Sequence, residues 1–201
     1  MPERNNDNDV EATFSLVDDD FTRSMWNYSF KILYYILLKE RELHFKITVE
    51  NTDRKLPLDF QILFHTYFKV PNIYECQIYG LQNCKYIDQT DKNFIKENDK
   101  EIVVENFIDH IYCNTPEKLT ITNAVGGRNM RILKYNFPDT VIWNPWIEKS
   151  KKLRDFGDDE YLRMLCVEVG QVSNPVKLVP GAKFEAKQIL EVFPRIPPDE
   201  M

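Results

Sequence analysis

The sequence predicts an all-β protein of the sandwich kind, and three observations carry that prediction. Apolar and polar side chains alternate with period two along most of the chain, the alternating runs are short and bounded by turn residues, and no segment sustains the 3.6-residue period of an amphipathic helix. The clearest alternation is Leu43-His44-Phe45-Lys46-Ile47-Thr48-Val49-Glu50. It sets Leu43, Phe45, Ile47 and Val49 on one face of a strand and the polar residues on the other. Asn51-Thr52-Asp53-Arg54 closes it with turn chemistry. Phe30–Leu38 reads as the strand before it. Further strands are expected at Leu58–Phe68, Glu75–Tyr79, Glu101–Val104, Leu119–Thr122, Met130–Leu133, Val141–Trp143, Leu162–Glu168, Val176–Val179 and Phe184–Glu191, from their β-branched and aromatic content. Ala124-Val125-Gly126-Gly127-Arg128 reads as a hairpin turn whose glycines supply positive φ, in preference to a phosphate-cradling loop. Only Ile147–Leu153 has a helical look.

The ends differ in kind from the middle. Residues 1–20 are rich in Asn, Asp and Glu, and disorder is expected there. One domain follows over residues 21–193, and residues 194–201, with Pro194-Arg195-Ile196-Pro197-Pro198, form a tail without strand character. A length of 201 residues supports one sizeable core.

The formal net charge of −6 and the lack of a basic stripe argue against a nucleic-acid partner. Lys149-Ser150-Lys151-Lys152-Leu153-Arg154 is the densest basic run, but Asp155, Asp158, Asp159 and Glu160 follow it, so it reads as a solvated loop or helix end. The most apolar run, Ile32–Leu38, is far shorter than the ~20 residues of a membrane helix, and the N-terminus lacks the layout of a secretory signal. Cys76, Cys84, Cys113 and Cys166 show no CxxC spacing. They read as free thiols of a reducing compartment, so no metal site is expected and the cytoplasm is the expected location.

There are three histidines. His44 falls on the polar side of its strand and is expected to face solvent. His110 follows Asp109 in a segment that reads as a loop. His65 lies late in Leu58–Phe68 among Phe64, Tyr67 and Phe68. By residue type alone, a packed core histidine is the plainer reading, although aromatic rings with polar tips also suit the C–H face of a sugar. Glu168 ends the apolar run Met164-Leu165-Cys166-Val167. An unpaired buried carboxylate costs several kcal/mol, so Glu168 stands either at a strand mouth or at a place that uses it.

Leu63-Phe64-His65-Thr66-Tyr67-Phe68 is similar to the LHTYF segment of the glucose-6-phosphate 1-epimerases (hexose-6-phosphate mutarotases), a branch of the aldose-1-epimerase superfamily. Ile108-Asp109-His110-Ile111-Tyr112 resembles that family's DRIY segment, and Val141-Ile142-Trp143-Asn144-Pro145-Trp146 its VVWNPW segment. Cys166-Val167-Glu168-Val169-Gly170 resembles CVEPG, with Val169 where the family has proline. Val172–Leu178 and Pro180-Gly181 follow in the expected order, and the resemblance covers roughly residues 21–190.

It implies a galactose-mutarotase-like β-supersandwich and interconversion of the α and β anomers of hexose 6-phosphates. It implies His65 as general acid, Glu168 as general base and Asp109 as a substrate-binding residue; alone, Asp109 reads as a turn cap. Trp143 reads equally as a sugar neighbour or a core residue. The implied partner is a small sugar phosphate, with no cofactor and no membrane or nucleic acid. The family's N-terminal strands and its phosphate-gripping arginines find no counterpart before Phe21. The expectation is therefore a sandwich lacking those strands, with a weakened phosphate grip. A carbohydrate-binding protein without catalysis, or an inactive truncated remnant, is the alternative.

Overall fold

The computed structural model describes residues 2–5, 9–91 and 94–194. In chain order its strands are β1 (Glu3–Arg4), β2 (Val10–Val17), β3 (Phe30–Leu38), β4 (Glu42–Asn51), β5 (Leu58–Phe64), β6 (Tyr67–Lys69), β7 (Ile78–Tyr79), β8 (Lys85–Asp88), β9 (Phe94–Glu97), β10 (Ile108–Tyr112), β11 (Lys118–Ile121), β12 (Asn129–Tyr135), β13 (Asp139–Asn144), β14 (Met164–Leu178) and β15 (Lys183–Phe193). Two short helices join them, α1 (Asp20–Met25) and α2 (Trp146–Ser150). The all-β expectation holds.

One antiparallel sheet runs β1-β2-β3-β4-β15-β12-β11-β7, and the second runs β5-β14-β13-β10-β8-β9 with β6 also on β14. The period-two pattern explains the layers. Val49, Phe184, Leu119, Ile121 and Ile132 from the first sheet and Leu58, Ile142, Leu165, Val167 and Val169 from the second are buried in one core. Each fully buried aliphatic side chain contributes about 1.5–3 kcal/mol of transfer free energy. Phe64 bridges the layers, with ring centroids 5.8 Å from Tyr34, 6.2 Å from Phe45 and 5.0 Å from Phe137.

Several expectations are corrected. Residues 1–20 were expected to be disordered, yet β2 pairs with β3 from Val10↔Leu38 to Val17↔Lys31. The acidic residues of that segment mask Val10-Glu11-Ala12-Thr13-Phe14-Ser15-Leu16-Val17, a strand-forming run that satisfies the backbone of the β3 edge. Glu11 accepts a 2.6 Å hydrogen bond from the Tyr35 hydroxyl, which uses one of the acids. The domain therefore starts upstream of residue 21; residues 195–201 of the expected tail lie outside the described residues.

The expected loop around His110 is strand β10, held between β13 and β8. The expected strand Glu101–Val104 shrinks to a bridge at Ile102. Val176–Val179 is no separate strand, since β14 continues through to Leu178. His44 is mostly covered rather than solvent-facing: its side chain is 13% exposed and its Nε2 lies 2.6 Å from Glu42 Oε2. Glu42 shares its face two residues away, and Leu37 and Ile189 flank it across the ladders. The hairpin at Ala124–Arg128 forms as expected, with Gly126 and Gly127 at φ of 58° and 79°.

Gly170 decides how closely β5 docks on β14. It opposes Leu63, and a Cβ at this position would sit 2.3 Å from the Ile62 carbonyl oxygen and 3.0 Å from Leu63 Cα. Neither backbone atom can yield without moving the strand. Gly170→Ala is expected to destabilise the fold by about 2 kcal/mol, lowering Tm by about 6 °C. An unchanged melting curve would show that the two strands are less tightly apposed.

Candidate active site

The site is built on the middle of the second sheet. Register places Asp109 (β10) opposite Trp143 (β13), Trp143 opposite Cys166 (β14), and Cys166 opposite Tyr67 (β6). Directly opposed residues share a face, so these four side chains form one cross-strand row. Glu168 follows Cys166 by two residues and stands on the same face, opposite Val141. The other face sends Ile142, Leu165 and Val167 into the core.

His65 reaches this face through a break in a strand. Leu58–Phe68 was expected to be continuous, but β5 ends at Phe64 and β6 begins at Tyr67. The Thr66 N–H turns back to donate to the Phe64 carbonyl at 2.9 Å, closing a three-residue turn around His65. Phe64 on one side is held in its aromatic cluster, and Tyr67 on the other is paired with Cys166. The imidazole leaves this anchored turn and stacks on Tyr67, with centroids 4.8 Å apart and planes at 12°. Trp143 meets both rings edge-on at 6.1 Å. His65 Nδ1 lies 3.3 Å from Glu168 Oε1, pairing a side chain that is 50% exposed with one that is 2% exposed.

The electrostatics follow from this burial. Loss of water pushes the Glu168 carboxyl up to about 7, and the charge of Asp109 adds to the rise. Asp109 is itself pushed up by burial, against the pull of Lys149. That lysine sits at the rim with its Nζ 3.8 Å over the Phe107 ring. Burial also raises the Tyr67 phenol and the Cys166 thiol.

All three residues singled out from the sequence thus lie on one face. His65 and Glu168 touch, and Asp109 acts on Glu168 through its charge from two strands away. His110 points the opposite way, toward the core, where it stacks on Tyr86 at 4.4 Å and its Nε2 lies 3.5 Å from Asp88. The residues missed are Tyr67, as a platform for His65, and Cys166. The signal for Cys166 was present, because it stands two residues before Glu168 on a strand. The Val141–Trp146 segment has a structural part as well. Buried Asn144 donates to the Tyr161 and Met164 carbonyls and accepts the Trp146 N–H, at 2.9 Å each, holding Trp146 at a φ of 54°.

The family model described as aldose 1-epimerase matches residues 2–191. A Cenchrus ciliaris protein named "Putative glucose-6-phosphate 1-epimerase" is 34% identical over 175 residues, covering 85% of this chain and 53% of that protein. A Haemophilus influenzae protein of the same name is 26% identical over 114 residues, covering 56% and 40%. The chain spans about half the length of the curated relatives it matches. Among solved structures, the Salmonella typhimurium "putative mutarotase (YeaD)" superposes with a TM-score of 0.86 at 21% identity, over 97% of this chain and 64% of that one. A galactose mutarotase-like protein of Lactobacillus casei does so with a TM-score of 0.71 at 14% identity, over 96% and 72%. At those identities the superpositions speak for the fold, which is the galactose-mutarotase-like sandwich. With the family model spanning nearly the whole sequence and a relative one-third identical over most of it, the chain belongs to the aldose 1-epimerase family.

Proposed function

We propose that this chain interconverts the α and β anomers of hexose 6-phosphates, such as glucose 6-phosphate, by acid/base ring opening. The observation that carries the reading is the 3.3 Å contact between His65 Nδ1 and Glu168 Oε1, on one sheet face with Asp109. Glu168, as carboxylate, takes the proton from the anomeric hydroxyl. His65, as imidazolium, gives a proton to the ring oxygen. The C1–O5 bond breaks, O1 becomes the aldehyde oxygen, and rotation about C1–C2 presents the other carbonyl face. Closure runs the same transfers backwards, so the protein ends each turnover as it began.

Burial of Glu168 suits this cycle. A carboxyl lifted to about 7 is a far stronger base than one in water and titrates in the range where histidines operate. Asp109 accepts hydrogen bonds from sugar hydroxyls and sets the register of the ring, and Tyr67 and Trp143 offer aromatic surface to its C–H groups. The free thiols Cys76, Cys84, Cys113 and Cys166 fit work in the reducing cytoplasm.

Two-dimensional exchange NMR on glucose 6-phosphate tests the reading. The purified chain should accelerate α-to-β exchange, and His65→Ala should reduce the catalysed rate by about 10²–10⁴-fold. Exchange that stays at the solvent rate in a folded, sugar-binding sample would make the chain a carbohydrate-binding protein instead.

A further inference from the structure

Cys166 has no part in ring opening, yet its thiol shares a corner with the acid/base pair. Its Sγ lies 4.0 Å from His65 Nδ1, the same nitrogen that stands 3.3 Å from Glu168 Oε1. One donor atom from each of the three residues falls within 4.8 Å of the other two, and among the described residues this is the one such convergence of His, Cys, Asp or Glu side chains. A sulfur, an imidazole nitrogen and a carboxylate oxygen form a set of donors that zinc accepts. In a tetrahedral site with bonds of about 2.0–2.3 Å, neighbouring donors stand about 3.3–3.6 Å apart. The His65–Glu168 separation already meets that spacing. The three donors, now within 4.8 Å of one another, have to close by up to about 1.5 Å, and the half-exposed His65 ring supplies part of that movement.

We propose that His65, Cys166 and Glu168 form a zinc site that shuts the acid/base pair off reversibly, its fourth position open to water from the cleft. The ion takes the lone pairs of Nδ1, Sγ and a carboxylate oxygen. The thiol proton and any proton held by the pair leave to solvent, and nothing is oxidised or reduced. A Glu168 whose oxygen binds zinc no longer receives the anomeric proton, and a His65 whose Nδ1 binds zinc no longer gives up the proton it carried there. The inhibitory effect rests on the function proposed above; the binding itself does not.

Cobalt(II), a spectroscopic substitute for zinc, is the probe for binding. Titrated into the full chain, it should give a thiolate-to-metal charge-transfer band with the visible bands of a tetrahedral ion, and added Zn2+ should erase both. Cys166→Ser should remove the charge-transfer band. His65→Ala, which alters a half-exposed side chain, should bind weaker by more than about 100-fold, beyond what loss of an outer partner costs. In the exchange assay, micromolar Zn2+ should silence the wild type, a chelator should restore it, and the rate that metal-free Cys166→Ser shows should resist zinc. No charge-transfer band from the wild type at millimolar cobalt would overturn the proposal, as would equal zinc sensitivity in Cys166→Ser. Because the band needs no turnover, it judges the site even if glucose 6-phosphate is not a substrate.

Discussion

Glu168→Gln is expected to lower catalysed anomer exchange by about a thousandfold while making the protein harder to unfold at pH 8. The two effects have one cause. Glu168 is 1% exposed, and burial lifts its carboxyl from 4.5 to about 7. A carboxyl whose folded value lies above its unfolded one contributes stability that is fully present below about 4.5 and is lost as pH rises through about 7. At pH 8 the group is ionised in both states, and the fold carries a charge stripped of water. His65 compensates little of that cost, since its ring is half exposed. Gln keeps the shape and a carbonyl acceptor but cannot ionise. Its gain at pH 8 is on the order of 2 kcal/mol, about 6 °C in Tm, and should vanish at pH 4. Wild-type exchange should fall on the acid side with an apparent value near 7, which belongs to the coupled pair rather than to Glu168 alone. Melting curves of both proteins at pH 4 and pH 8 separate the outcomes. A less stable Glu168→Gln at pH 8 would mean that the contacts of the carboxylate more than compensate the buried charge.

The strands that carry that carboxylate were largely legible in the sequence, and the site only in part. β4 and the first half of β15 alternate because one face is core and the other more exposed, β3 is legible from its apolar and aromatic content, and the bounds of all three fall within two residues of the expected ones. β2 was hidden by averaging, since acidic residues around it dominate the composition of residues 1–20. Ile108-Asp109-His110-Ile111-Tyr112 hid for the opposite reason. Its inward row includes a histidine and its outward row an isoleucine, so the period-two signal blurs in a strand covered on both faces. The break at His65 carries no turn residue. It arises from tertiary anchors, Phe64 in its cluster and Tyr67 against Cys166, which local propensity does not encode. Nor is register local, and only the pairing of β10, β13 and β14 shows that Asp109 and Glu168 share a face. α1 was not expected; Asp19 and Thr22, whose reciprocal 2.8 and 2.9 Å hydrogen bonds cap it, are a local signal that too few following residues extend into a helical period.

Asp139→Ala is expected to be the most destabilising single change outside the apolar core. β14 slips its register against β5 between the pairs Gln171↔Ile62 and Val176↔Phe60, so Val172–Pro175 bulge against Gln61 alone. Asp139, fully buried at the start of β13, holds the neck of that bulge. Its Oδ2 accepts the backbone N–H groups of Val172 and Ser173 at 2.8 and 2.7 Å, and its Oδ1 accepts the Ser173 hydroxyl at 3.0 Å. It also supplies negative charge near Lys134, a buried ammonium bonded to the Thr115 and Phe137 carbonyls. Burial pushes that lysine down to about 8, and Asp139 is the first of the groups that hold it up. Alanine would strand two N–H groups and leave a buried cation without its main counter-charge, a combined loss of about 4 kcal/mol. In a chain of this length that amounts to a Tm lower by about 12 °C. Asp139→Asn, which keeps one acceptor and the side-chain volume, should fall between the two. The damage should also reach function, because a strand that slips by one residue turns each side chain to the opposite face, and Glu168 lies two residues before Gly170, the partner of Asp139. Urea denaturation and exchange rates for all three proteins check both claims. A midpoint for Asp139→Ala within error of wild type would show that the bulge is held by the strands themselves and not by this carboxylate.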